Sequence, residues 1–458
     1  MRSILGPIVL LLLSISFWNP RAIAKEAATT PRAWAEQNIE SLLELYRHLH
    51  AHPELSFHES NTAARIAREW SDAGFDVTTG IGGHGVVGIL RNGRGPTLML
   101  RTDLDALPVT EQTELGYASK VRAKTDDGLD TGVMHACGHD IHMTNLVGTA
   151  RYLAANRSQW SGTLLLVGQP AEERGAGAQR MLKAGLFKQF GKPDFALAFH
   201  VDSALEVGKV GQRGGAMLAN VDSVDVVMRG RGGHGAAPHT TIDPIVQAAQ
   251  LVLDLQTLVS RELKPTDPAV VTVGSIHGGT KHNVIGDSCR LQLTVRCYSE
   301  EVRRHLLDGI RRKAKAVAAS ARAPEPSIEI GSDSLNAVIN DEELTARCAG
   351  VLRRVLGEAN VVPSEPAMVG EDFGRYGEAG VPIVMLRLGS IERDRLKALT
   401  RGGMMPPSLH SALYFPDPQP TLVTGVTAMS SLALDLLKPA AARRASDAPQ
   451  ASGAGKSR

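Results

Sequence analysis

The densest concentration of reactive side chains in this sequence is Met134–His142, MHACGHDIH, which sets three histidines, a cysteine and an aspartate within nine residues. Met143, Leu146, Val147, Ala150, Leu153 and Ala154 follow at the i, i+3, i+4, i+7 intervals of an amphipathic helix. Asp140 suits the N-cap of that helix. Cys137 and His139 then stand just before a helix N-terminus, whose positive dipole end favours thiolate over thiol. Two residues apart in a non-helical segment, they can point to the same side and share a site. Two readings fit this stretch by itself: a site built on thiolate and imidazole, or a buried cysteine beside capping histidines.

Other reactive side chains fall at the ends of short apolar runs. Thr97–Leu100 is followed by Asp103 and Asp105, Thr163–Val167 by Glu172 and Glu173, and Phe195–Phe199 by His200; Val381–Leu388 follows Glu371 and Asp372. Such runs, separated by helical stretches, predict buried strands of a largely parallel sheet flanked by helices. Catalytic groups in these sheets gather at the carboxyl ends of the strands. The candidate ligands are therefore Cys137, His139, Glu173, His200 and His410, the last in Ser408-Leu409-His410-Ser411. Thiolate, imidazole and carboxylate together suit zinc or a similar first-row divalent ion. Five protein ligands exceed one catalytic tetrahedral site, which takes three plus water, but fit two ions that share a ligand and activate a water between them. Adjacent Glu172 and Glu173 would then divide into a ligand and a base; the bland alternative is a solvated loop.

These groups are carried by a chain of 458 residues, 43% hydrophobic and 21% charged, long enough for two or three domains. A net charge of +2, with no basic stripe interleaved with aromatics, argues against nucleic acid as the main partner. Residues 1–24 read as an export signal: Arg2, an apolar stretch from Ile4 to Trp18, and Ala22-Ile23-Ala24 as cleavage site. The expectation is an exported protein, periplasmic or secreted, with no membrane attachment after cleavage and an uncleaved anchor as the runner-up. The four cysteines are no disulfide framework, since Cys289 and Cys297 lie on one face of a single predicted strand, roughly 27 Å apart at strand rise.

Ala33–His50 is predicted as a helix, with His48, His50, His52 and His58 read as structural groups near its end. Gly80–Gly85 and Gly230–Gly235 both match G-x-G-x-x-G, but neither runs from a strand into a helix, so both are read as turns. Between 213 and 332 the pattern changes to strict alternation, as in Cys289, Leu291, Leu293, Val295 and Cys297 against Arg290, Gln292, Thr294 and Arg296. That predicts an antiparallel sheet buried on one side. With helices at Ile242–Ser260 and Glu300–Ala318, the order strand, helix, two strands, helix, strand describes a split βαβ sandwich. It is expected to be a second domain inserted between residues 31–212 and 333–438, with 439–458 as a disordered tail.

The segments RHLHAHPELSFHE (47–59), LRTDLDALPVTE (100–111), GVMHACGHDIH (132–142), GQPAEE (168–173), FHV (199–201), RGGHGAAPH (231–239), GGTKHNVI (278–285), TVRCY (294–298), GEDF (370–373) and SLHSALY (408–414) together resemble the dinuclear metal amidohydrolases. That family includes aminoacylases, hippurate hydrolases and hydrolases of indole-acetyl amino acids. The resemblance implies an α/β fold: a zinc-peptidase-like catalytic domain with a mostly parallel mixed sheet, and an inserted α+β ferredoxin-like domain serving as lid and homodimer contact. It implies two divalent ions, manganese or zinc with cobalt or nickel as further candidates, on Cys137, His139, Glu173, His200 and His410, with Cys137 bridging. It makes Glu172 the general base, His234 the group that polarises the scissile carbonyl, often in the partner's site, and Asn283 and Arg296 the substrate holders. Asp105 would orient ligands from behind. The expected substrate is an N-acyl amino acid or similar amide; the alternatives are a dipeptidase or carboxypeptidase, or a binding protein without catalysis. Val369-Gly370 stands where the family often has Gly-Ser before Glu-Asp-Phe, and Gly286 where proline often follows Asn-Val-Ile, differences that bear on the substrate pocket.

Overall fold

The computed structural model describes residues 29–331 and 334–438; the expected export signal and C-terminal tail lie outside the described residues. Its main sheet has eight strands in the order Asp76–Ile81, Gly85–Asn92, Gly162–Gln169, Thr97–Asp103, Phe195–Glu206, Ile383–Ile391, Val210–Gln212, Val361–Pro363. The four from Gly162–Gln169 to Ile383–Ile391 are mutually parallel, and the two strands before them are antiparallel. The central strands read as unbroken apolar runs because both faces are covered. Leu164, Leu166, Leu98 and Leu100 point into one core, under the helices Ile39–Ala51, His139–Ala155, Glu342–Leu356 and Pro418–Leu436. Leu165, Val167 and Met99 point into the other, under Gly177–Lys183, Leu186–Phe190 and Gly374–Glu378.

His139–Ala155 is buried on nearly all sides. It crosses Pro418–Leu436 so closely that a Cβ on Gly148 would lie 2.7 Å from Val426 Cγ2, and one on Gly425 would lie 2.9 Å from the Asn145 side chain. Two local expectations are corrected. The helix predicted over Ala33–His50 is two, Pro31–Gln37 and Ile39–Ala51, broken at Asn38, whose side-chain amide donates to Trp34 O at 2.8 Å. The N-cap of His139–Ala155 is Gly138, held at φ 76°, and Asp140 falls inside the first turn. Asp140 is drawn inward by His50, whose Nδ1 lies 2.7 Å from its Oδ2.

A separate antiparallel sheet of order Ala269–Gly278, Ser288–Cys297, Asn220–Arg229, Ser327–Ile330 carries the helices Pro244–Thr257 and Glu300–Ser320 on one face. Its core draws on Val224, Val226, Leu291, Leu293, Leu251 and Leu306. Asp243 caps the first helix through Ile245 N, and Ser299 the second through Val302 N. The chain leaves for this sheet and returns from it side by side: Val221 N donates to Leu335 O at 3.0 Å and Leu335 N to Val221 O at 2.9 Å. Gly80–Gly85 is the turn between two strands, and Gly230–Gly235 runs into a short pairing of Gly233–His234 with Val284–Ile285, so neither opens a helix.

Candidate active site

The carboxyl edge of the parallel strands brings the five sequence-chosen ligands together. Cys137 comes from the turn before His139–Ala155, and His139 is that helix's first residue. Glu172 and Glu173 follow Gly162–Gln169 through Ala171, which is held at φ 50°. His410, at φ 69°, is drawn to the cysteine segment by a bond from its own N–H to Ala136 O at 2.9 Å. Non-glycine residues at positive φ are strained and persist where the surroundings over-determine them. Here the buried Glu59 carboxylate does so, accepting from Ala171 N and Phe57 N, both at 2.8 Å. His200 lies midway along Phe195–Glu206, and not at the strand's end as the apolar run suggested, because the strand continues beyond the site.

The donor atoms fall into two groups, Cys137–His139–His200 and Cys137–Glu173–His410, within each of which all lie within 4.8 Å of one another. Cys137 belongs to both. Sγ is 3.5 Å from His200 Nε2, and Glu173 Oε1 and Oε2 are 3.7 Å from His139 Nε2 and 3.5 Å from His410 Nε2. Both buried imidazoles have one nitrogen tied to the backbone: His139 Nδ1 to Asp105 O and His200 Nδ1 to Val201 O, each at 2.8 Å. Each Nδ1 donates, which leaves an Nε2 lone pair facing the site, the tautomer that a ligating histidine needs.

Charge makes the same case for a cation. His139 Nε2 and Glu173 Oε1 are buried with no hydrogen-bond partner. Burial and Glu173 push the Cys137 thiol well up. Burial, Glu371 and Glu173 raise Glu172, and burial raises Glu173 to about 8 despite the opposing pull of His139. Burial disfavours the charged form of His139, but Asp103 and Asp105 outweigh it and raise its pKa well above the usual histidine value. Burial lowers His200 and His410, so the demand for positive charge comes from the crowded thiol and carboxylates, whose charge divalent ions among these donors would offset.

Asp105 lies beside these donors, its Oδ2 accepting from Ser56 Oγ at 2.6 Å and Glu173 N at 3.0 Å. Glu172 is buried, 3.8 Å from His139 Nε2, and its side chain makes no hydrogen bond to any described residue. Arg296 lines the same cleft of about 810 Å³, which lies between the two sheets. His234 and Asn283 do not join this site within the chain: both are exposed, His234 in the short pairing at the rim of the second sheet and Asn283 in the turn just before its partner strand. His48, His52 and His58 join no donor group among the described residues, and His50 pairs with Asp140 and Glu111.

Sequence reasoning passed over two sets of residues. His142 lies one turn past His139, its Nδ1 2.8 Å from Asp103 Oδ1 and its Nε2 accepting from Val201 N at 2.9 Å. Its i+3 spacing from His139 was the available signal. Arg101 reaches Asp103 at 2.7 Å, Glu371 at 2.9 Å and Asp372 at 3.1 Å, all buried, and so ties the Glu-Asp-Phe segment to the site's floor. No short-range pattern announces that cluster.

A parallel-centred sheet, a separate antiparallel sheet, and cysteine, histidine and glutamate donors gathered at one edge define the class of metal-dependent peptidase-like hydrolases. The chain belongs to peptidase family M20/M25/M40, which matches residues 99–398. It is 35% identical over 339 residues to thermostable carboxypeptidase 1 of Saccharolobus solfataricus, covering 73% of this chain and 82% of that one. It is 36% identical over 345 residues to the hippurate hydrolase of Campylobacter jejuni, covering 74% and 86%. A dinuclear metal binding M20 peptidase from Bacillus subtilis superposes with a TM-score of 0.71 at 29% identity, over 89% of this chain and 99% of that structure.

Proposed function

We propose that this protein is a two-metal amidohydrolase that splits N-acyl amino acids into a carboxylic acid and an amine. The observation that carries this reading is the pair of three-donor groups that share Cys137, beside a buried Glu172 whose side chain bonds to no described residue. Cys137, His139 and His200 would hold one ion, and Cys137, Glu173 and His410 the other. Manganese or zinc suits such a mixture of thiolate, imidazole and carboxylate. When bound, the ions polarise the scissile carbonyl and lower the pKa of water. Glu172 takes the proton of the attacking water and passes it to the leaving nitrogen. Asp105 and the Asp105 and Val201 carbonyls fix the orientation of Glu173, His139 and His200. Arg296 faces the substrate's α-carboxylate from the lid.

His234 and Asn283 reach an active site only across a dimer in this reading, each lid serving the partner's cleft. Exposed Val246, Leu253, Ile276 and Val284 on the lid supply apolar surface for such a contact. Export of the chain remains part of the proposal and rests on residues 1–24 alone. The competing reading is a carboxypeptidase, favoured by the similarity to the Saccharolobus solfataricus protein. The test is turnover of benzoylglycine, N-acetyl amino acids and dipeptides by manganese- or zinc-loaded protein, with and without chelator. Hydrolysis of the acylated substrates that chelation abolishes is expected. Turnover restricted to free-amine dipeptides would establish the competitor, and full activity in demonstrably metal-free protein would refute the two-metal reading.

A further inference from the structure

Arg387 has no part in the chemistry above, and nothing around it accounts for its charge. It sits in Ile383–Ile391, in register with His200 on the neighbouring parallel strand. It is 8% exposed and borders the cleft together with Cys137, Asp202 and Arg296. Its guanidinium makes no hydrogen bond and no ion pair with any described residue. The other arginines of the cleft have roles or partners: Arg174 pairs with Asp126 at 3.2 Å, and Arg296, assigned above to the α-carboxylate, donates to the Met368 carbonyl at 2.6 Å. Burial disfavours its charge and outweighs the opposing pull of Asp202, Cys137 and Glu371. A guanidinium cannot shed its proton in a protein, so a buried one without a partner is costly unless a ligand supplies the anion.

Building on the amidohydrolase reading, we propose that Arg387 binds a second carboxylate of the substrate, making this enzyme selective for N-acyl amino acids with an anion beyond the α-carboxylate. The planar fork suits bidentate capture of a carboxylate, and Leu218, Val221 and Leu335 in the lining of the same cleft give it apolar wall. The extra anion belongs either to the amino-acid side chain or to the acyl chain. Both present the same group to Arg387.

The test compares wild type with Arg387→Met and Arg387→Lys, all manganese-loaded, on two matched pairs: N-acetyl-glutamate against N-acetyl-glutamine, and N-succinyl-glycine against its terminal amide. The wild type should favour the acid in one pair by about 10–100-fold in kcat/KM, the size of one charge-assisted hydrogen-bonded pair, mostly through KM. The pair that shows the preference assigns the anion to side chain or acyl group. Arg387→Met should bring that ratio near one, Arg387→Lys should keep part of it, and Arg387→Met should melt at a higher temperature because an uncompensated charge is gone. No preference in either pair, a ratio unchanged in Arg387→Met, or a lower melting temperature with that ratio intact would each overturn the proposal. If none of the four is hydrolysed, the amidohydrolase reading fails by itself. Calorimetric titration with glutarate then decides Arg387: weaker binding to Arg387→Met supports the site, and equal binding overturns it.

Discussion

Glu172 and Glu173 are adjacent and chemically identical, so replacing each with glutamine separates their roles with the smallest change in shape. Glu173 directs one oxygen at each of two imidazoles, 3.7 Å from His139 Nε2 and 3.5 Å from His410 Nε2. A neutral amide there removes an anionic donor, so metal affinity should fall by more than the ~10–100-fold typical of losing a supporting neighbour. Glu172 lies 3.8 Å from His139 Nε2 and within 4.8 Å of a Glu173 oxygen, and it also sits against Glu371 and Asp372. Glu172→Gln keeps the volume but cannot take a proton. A general base contributes ~10²–10⁴ in rate, so kcat should fall by at least that factor, about 3–5 kcal/mol in barrier. Metal content after exhaustive dialysis and kcat with added manganese should be measured for both proteins side by side. Glu172→Gln should keep its ions and stay inactive; Glu173→Gln should lose ions and recover part of its activity with excess metal. If Glu172→Gln emerges depleted and Glu173→Gln replete, the assignment is reversed and the reasoning from geometry fails.

Cys137 belongs to both donor groups, so Cys137→Ala should lower the occupancy of both ions, whereas Cys137→Asp, which restores an anionic bridge, should retain metal and part of the activity; elemental analysis of the two variants checks this. If His234 acts in the partner's cleft, mixing inactive His234→Ala with inactive Glu172→Ala should restore some activity after subunit exchange, and no recovery in verified mixed dimers would confine His234 to its own chain. Burial opposes a charge on His50, but its hydrogen bonds to Asp140 and Glu111 win and raise it to about 9. Its folded pKa exceeds its unfolded value of about 6.5, so its stabilisation is full below that pH and is lost as pH rises through 9. The stability difference between wild type and His50→Gln in denaturant titrations should therefore shrink, by at most about 3 kcal/mol, between pH 6.5 and 9; a difference independent of pH would show that the charge on His50 contributes nothing.

The parts of the site that the sequence discloses are those whose partners are near in the chain or that end an apolar run. Cys137 and His139 are two apart, Glu172 and Glu173 follow a leucine-rich strand, and the alternation of Ser288–Cys297 already set Arg296 on its polar face. Pairings across long separations are invisible to such patterns. His50 reads as a histidine near a helix end, yet its charge is fixed by Asp140, 90 positions away. Arg101 meets Glu371 across 270 positions. Arg387 is hidden by its setting, one cation inside an apolar strand, where periodicity predicts only burial. The misplaced N-cap has a similar cause: propensity favoured Asp140, but its carboxylate is committed to His50, and Gly138 alone tolerates the required φ.

The mutual hydrogen bonds of Val221 and Leu335 have a consequence for how the chain finds its fold. An excursion that starts and finishes on one antiparallel pair leaves its two ends only about 5 Å apart. Once the second sheet and its helices have formed, they therefore act as a short bridge between the preceding strands and Ile383–Ile391, however many residues they contain. The entropy of closing the main sheet across it is then that of a small loop. A version of the chain with the lid excised and the two ends joined by a tight turn should still be able to assemble the eight-stranded sheet.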